Sequence, residues 1–143
     1  MSVIVDEAVE QVARQAESIR SDDEQRYDVM DVGDEVRQGD IYLTRIDRVP
    51  SDAKALPFVA QVAPGNTQGS RHCLRAAKAR GKLGRGVKLW SVPDAGPLDG
   101  PIIEAPNGCA VDHPEHGNVV LPAGAYAVTF QRAFADELRR VAD

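Results

Sequence analysis

Residues Cys109 to Arg132 read CAVDHPEHGNVVLPAGAYAVTFQR, and this stretch decides both the fold class and the candidate site. Tyr126, Val128 and Phe130 alternate with Ala127 and Thr129, which is the period of a half-buried strand. Asn118 to Leu121 is expected as its partner, joined through Leu121-Pro122-Ala123-Gly124, where Pro and Gly sit as a type I turn prefers. The stretch therefore predicts a β-hairpin. In front of it, His113-Pro114-Glu115-His116 brings two imidazoles and a carboxylate to the mouth of the first strand.

Upstream, Ile102 to Ala105 reads as a short strand. Pro106-Asn107-Gly108 then supplies a tight Asn-Gly turn into Cys109, and residues Pro93 to Pro101 read as a surface connection. Further back, the polar, glycine-bracketed Gly65 to Ser70 reads as a loop ending in a short strand over His72 to Leu74. A basic run follows: Arg71, Arg75, Lys78, Arg80, Lys82, Arg85 and Lys88, with no acid between them. It suits either a phosphate-bearing or acidic partner or a mobile, solvated hairpin tip. The lack of an aromatic residue for base stacking before Trp90 favours the tip. Gly81-Lys82-Leu83-Gly84 lacks the spacing of a phosphate-binding loop, so nucleotide hydrolysis has no motif here.

Toward the N-terminus, Leu56 to Val62 and Ile41 to Ile46 read as strands, Pro57 marking an edge or a strand start. Gly33 and Gly39 are each followed by Asp in a pattern similar to a turn of biotinyl and lipoyl carrier domains, but the carriers' modified lysine has no counterpart. Ser21 to Glu35 is mostly acidic and reads as a solvated linker, with a capping-box pattern at Ser21 to Glu24. Val5, Ala8, Val9, Val12, Ala13, Ala16 and Ile19 recur at helical spacing and predict an amphipathic helix over residues 3 to 20. At the other end, Phe134, Leu138 and Val141 predict a short docking helix, with acids in its first turn and arginines in its last. The organisation read from these runs is a helix and acidic linker over 1–31 and a β-rich domain over 32–143.

Composition narrows the classes. A chain of 143 residues with 43% hydrophobic and 27% charged residues is ordinary for one globular domain. A net charge of −5 argues against a general binder of nucleic acid or membrane surfaces, and no apolar run approaches the roughly 20 residues of a membrane span. Met1 to Asp6 lacks a basic segment followed by a sustained apolar one, so a cytoplasmic location is the default expectation. In that setting the two cysteines are expected as thiols or metal ligands rather than a disulfide.

All three histidines and both cysteines fall in two short windows, His72-Cys73 and Cys109 to His116, at the ends of expected strands. Neutral imidazoles and thiolates are what Zn²⁺ and Fe²⁺ select, and convergence from separate strands is how such sites are built. The expected metal ligands are His72, His113 and His116, with Glu115 as a fourth ligand or general base and Cys73 or Cys109 as substitutes. The bland alternative is an ordinary complement of histidines, since H-x-x-H containing Pro is not the helical H-E-x-x-H of metalloproteases.

Arg37-Gln38-Gly39-Asp40-Ile41-Tyr42-Leu43, Gln68 to Leu74, His113 through Arg132, and Arg139-Arg140-Val141-Ala142-Asp143 together resemble a family of small, uncharacterised, mostly bacterial and phage-encoded proteins. That family is marked by R-Q-G-D, G-H-x-H and H-x-E-H-x-x-[IV]-x-L-P-x-G-x-Y-x-V-x-x-Q-R-E-[YF]. Ser70 stands where the family pattern has its first loop histidine, and Ala133 stands where an acid is usual. The resemblance implies that His72 faces His113 and His116, in a site reduced from four histidines to three. It implies no known reaction.

The expected fold is α+β and mostly β: a small β-barrel or cupin-like sandwich of about six to eight strands flanked by the two helices. Two functions compete. One is a non-enzymatic interaction or assembly protein, cytoplasmic or virion-associated, with a protein partner or a second copy of itself and a degenerate histidine site. The other is a small Zn- or Fe-binding β protein, with hydrolysis assisted by Glu115 as its enzymatic form.

Overall fold

The computed structural model describes residues 23–63 and 71–132. Among the described residues ten strands make two sheets. The larger is antiparallel throughout, in the order β2 (Glu35–Gln38), β3 (Ile41–Ile46), β10 (Gly124–Phe130), β7 (Asp99–Ala105), β6 (Lys88–Ser91) and β4 (Lys54–Leu56). The smaller runs β1 (Glu24–Arg26), β9 (Asn118–Leu121), β8 (Cys109–Asp112) and β5 (Cys73–Leu74), with β1 parallel to β9 and the other pairs antiparallel.

The burial pattern explains the layering. Along β2 exposed and buried positions alternate, Val36 and Gln38 facing inward, and Ile41 and Leu43 of β3 do the same. In contrast, every residue of β9 is buried, so that strand is covered on both faces. Val36, Ile41, Leu43, Leu89, Ile103, Tyr126 and Val128 of the larger sheet join Leu74, Cys109, Val111, Val119 and Leu121 of the smaller in one apolar core. The buried Tyr126 ring takes part in that core while its hydroxyl donates to the Pro122 carbonyl at 2.6 Å, as a buried phenol requires.

Several expectations are corrected by this topology. The expected hairpin of 118–121 with 126–130 does not form: β9 and β10 lie in different sheets, and Pro122-Ala123 carries the chain from one to the other. The true hairpin is β8 with β9, paired Cys109 to Leu121 and Val111 to Val119, so His113 to Gly117 is its connecting loop. The sheets are open and do not close into a barrel. Within the expected acidic linker, Glu24 begins a strand instead of a capped helical turn. The strand expected over Leu56 to Val62 is displaced toward the N-terminus and keeps only Leu56, while β6 emerges from the end of the basic run. Both expected helices and the Gly65 to Ser70 loop, with Ser70, lie outside the described residues.

Candidate functional site

The site starts at the inward position of β2. Gln38 is 1% exposed, and its carboxamide uses both N–H groups, donating to the carbonyls of Val111 at 2.9 Å and Gly117 at 2.7 Å. Those two carbonyls fix which end of the amide is oxygen, because the reversed amide would set oxygen against oxygen. Oε1 therefore faces Nδ1 of His72, 2.8 Å away. An amide oxygen only accepts, so Nδ1 carries the proton and the lone pair of neutral His72 is at Nε2. That nitrogen is buried and has no hydrogen-bond partner among the described residues.

The β8–β9 loop supplies the other two imidazoles. His113 is fully buried, its ring centroid 4.3 Å from that of His72. Its backbone N–H donates to the side-chain oxygen of Asn118 at 3.2 Å. Nδ1 of His113 accepts the backbone N–H groups of Glu115 and His116, both at 3.0 Å. The loop thus turns around the ring that it carries. His116 stacks next, 4.5 Å from His113 between centroids, and both it and Glu115 are exposed. The three rings form a stepped stack from the interior to the surface. Gly39, at φ +55°, lies beneath the outermost ring, where any Cβ would collide with the His116 imidazole. The β2–β3 turn therefore needs glycine both for its backbone and for this close approach.

Burial sets the electrostatics. Desolvation, followed by the neighbouring His113 and His116, pushes the pKa of His72 down from 6.5 to about 3. The ring is neutral at physiological pH, with its lone pair available.

The remaining expected site residues are placed apart from this stack or tied into structure. Cys109 belongs to the apolar core, and burial pushes its thiol up to about 12. It remains protonated and is a core side chain rather than a thiolate ligand. Cys73 is half-buried, its thiol also raised by desolvation. In the basic run, Arg75 grips Asp112 through Nε and Nη2 at 2.7–3.2 Å and reaches Glu24 at 2.8 Å, joining β1 and β8 to the segment after β5. Arg85 donates to the Ala79 carbonyl at 2.7 Å. The loop is also pinned to the β7–β8 turn by Gly84 N–H on the Gly108 carbonyl and by Asn107 on the Arg85 carbonyl, each at 3.0 Å. These bonds tie the loop to the larger sheet's β7 end. Lys78, Arg80, Lys82 and Lys88 are exposed.

Two side chains that brace the histidines, Gln38 and Asn118, were not proposed as site residues from the sequence. For Gln38 a signal exists: it shares the inward period of β2 with Val36, and a polar residue at an inward strand position needs a buried partner. As a metal centre the site fits in part. His72 has the arrangement of a metal-ligating histidine, one nitrogen donating to a fixed oxygen and the other free. Among the described residues, however, no group of three or more His, Cys, Asp or Glu is already gathered around one point.

Fold and site together define a small two-sheet β domain with a buried imidazole stack at the junction of its sheets. The chain belongs to the family described as a domain of unknown function, DUF8820, whose model matches residues 37–131. That span contains Gln38 and all three histidines but not Glu24. No curated protein and no solved structure matches the chain. Among the described residues no helix is long and apolar enough to cross a membrane.

Proposed function

We propose that this chain is a small β protein that binds a divalent transition-metal ion, Zn²⁺ or Fe²⁺, at the histidine stack. The supporting observation is Nε2 of His72: a fully buried lone pair, fixed in position through Gln38, with no donor facing it. A buried acceptor left this way costs about 1–3 kcal/mol. A proton is a poor remedy because burial already disfavours the imidazolium, whereas borderline cations select neutral imidazole. His116, stacked on His113, and Glu115 are exposed at the outer end of the stack. Elemental analysis of protein purified without a metal-affinity column is the test. Near-stoichiometric zinc or iron, lost in His72→Asn, is expected; a wild-type protein that neither retains metal nor takes it up in calorimetric titration rejects the reading.

A second reading, interaction or assembly, is favoured by one observation. Phe58 and Val59 are 54% and 57% exposed, and Val59, with Leu56, Val62, Leu89, Val92 and Phe130, lines an apolar groove of about 440 Å³. A projecting apolar side chain beside a groove on the same chain suits a two-fold contact with a second copy. This reading would place the protein in a bacterial or phage complex. It expects a dimer by light scattering that Phe58→Asp converts to monomer, and a wild-type monomer at high concentration refutes it.

A further inference from the structure

The last strand of the larger sheet ends in the wall of the apolar groove. Phe130, the final residue of β10, lines it together with Leu56, Val62, Leu89 and Val92. The Phe130 N–H donates to the Leu98 carbonyl and the Gln131 N–H to that of Asp40, both at 2.8 Å. The chain therefore leaves the sheet from a fixed point beside the groove. Gly100, also in the lining, keeps this end open, since a Cβ there would stand 3.0 Å from the Phe130 ring and 3.1 Å from the Val128 side chain. The groove measures about 440 Å³. A cavity of about 150 Å³ takes a benzene ring, so this one has room for an aromatic side chain and an aliphatic one beside it.

The sequence past Arg132 supplies such a pair. Eleven residues remain, Ala133 to Asp143, and their large apolar side chains are Phe134, Leu138 and Val141, at helical spacing. A chain spans at most about 3.6 Å per residue, which keeps Phe134 within about 14 Å of Phe130 in every conformation. Residues 1–22, by contrast, lead into β1, which belongs to the other sheet.

We propose that residues 133–143 fill the groove of their own chain, with Phe134 and Leu138 seated against Val62, Leu89 and Phe130 and the charged residues of the segment left in water. Apolar surface is removed from water on both the groove and the segment, and the tether at Arg132 makes the encounter intramolecular, at high effective concentration. This inference is independent of the metal reading. The two-fold contact would need the same groove, so the two occupants exclude each other.

The test is NMR of the full chain with ¹³C-labelled methyl groups. Nuclear Overhauser contacts are expected from the Phe134 ring and the Leu138 methyls to the methyls of Val62 and Leu89, and a sample mixing labelled with unlabelled chains should show them to lie within one molecule. Contacts between chains, from Phe134 or from Phe58, give the groove to a second copy and overturn the proposal. Contacts from residues 1–22, or none from any segment, overturn it as well. Leu138→Asp should erase the contacts and raise the fluorescence of added anilinonaphthalene sulfonate several-fold as the groove opens. Unmoved Val62 and Leu89 methyl resonances in that variant overturn the proposal, and the wild-type contacts decide it even where the variant does not fold.

Discussion

Two polar clusters sit within a few residues of each other on the smaller sheet, and they differ in completeness. Around Arg75, every strong group has its complement: the guanidinium takes Asp112 in a bidentate grip and Glu24 beyond it, with side chains of Arg75 and Asp112 only 18% and 14% exposed. Around His72, three of four partners are in place and the last nitrogen faces none. A closed network holds strands together and has nothing left to offer a ligand. An open one in the same sheet is a structural cost that becomes sensible once something binds there.

Substitutions test this contrast. Gln38→Met removes three buried hydrogen bonds and is expected to cost about 3 kcal/mol by urea unfolding, the largest effect, because it opens a junction between sheets. Arg75→Ala leaves Asp112 uncompensated but partly hydrated, for about 2 kcal/mol, and metal content should not change. Equal loss of metal in both variants would erase the distinction between the clusters. The unfolded chain binds a proton at His72 near 6.5 and the folded chain only near pH 3, so stability in chelator is whole above about pH 6.5. It falls by about 1.4 kcal/mol per pH unit below that from this residue. His72→Asn should flatten that portion of the curve. His116→Ala, on an exposed ring, should cost under about 0.5 kcal/mol of stability while lowering metal affinity, the opposite profile to Arg75→Ala.

The parts of this molecule readable in advance were those with local signatures. The alternation at Tyr126, Val128 and Phe130 marked a strand correctly, but periodicity is silent about partners, and β9 pairs backward with β8 across the histidine loop. Glu24–Arg26 had no signature at all, because its side chains are all exposed and backbone pairing with β9 is what holds it. The gathering of His72, His113 and His116 was legible from their two windows. Their opposite tautomers were not, since these depend on Gln38 and on backbone N–H groups that only the folded loop presents.

The parallel pairing of Glu24 with Asn118 has a temporal consequence. The chain through Val120 must leave the ribosome before β1 can find its neighbour. Loop closure over such a separation is slow compared with hairpin formation. The smaller sheet should therefore assemble late, with β8 and β9 waiting as a ready template for a segment synthesised long before them.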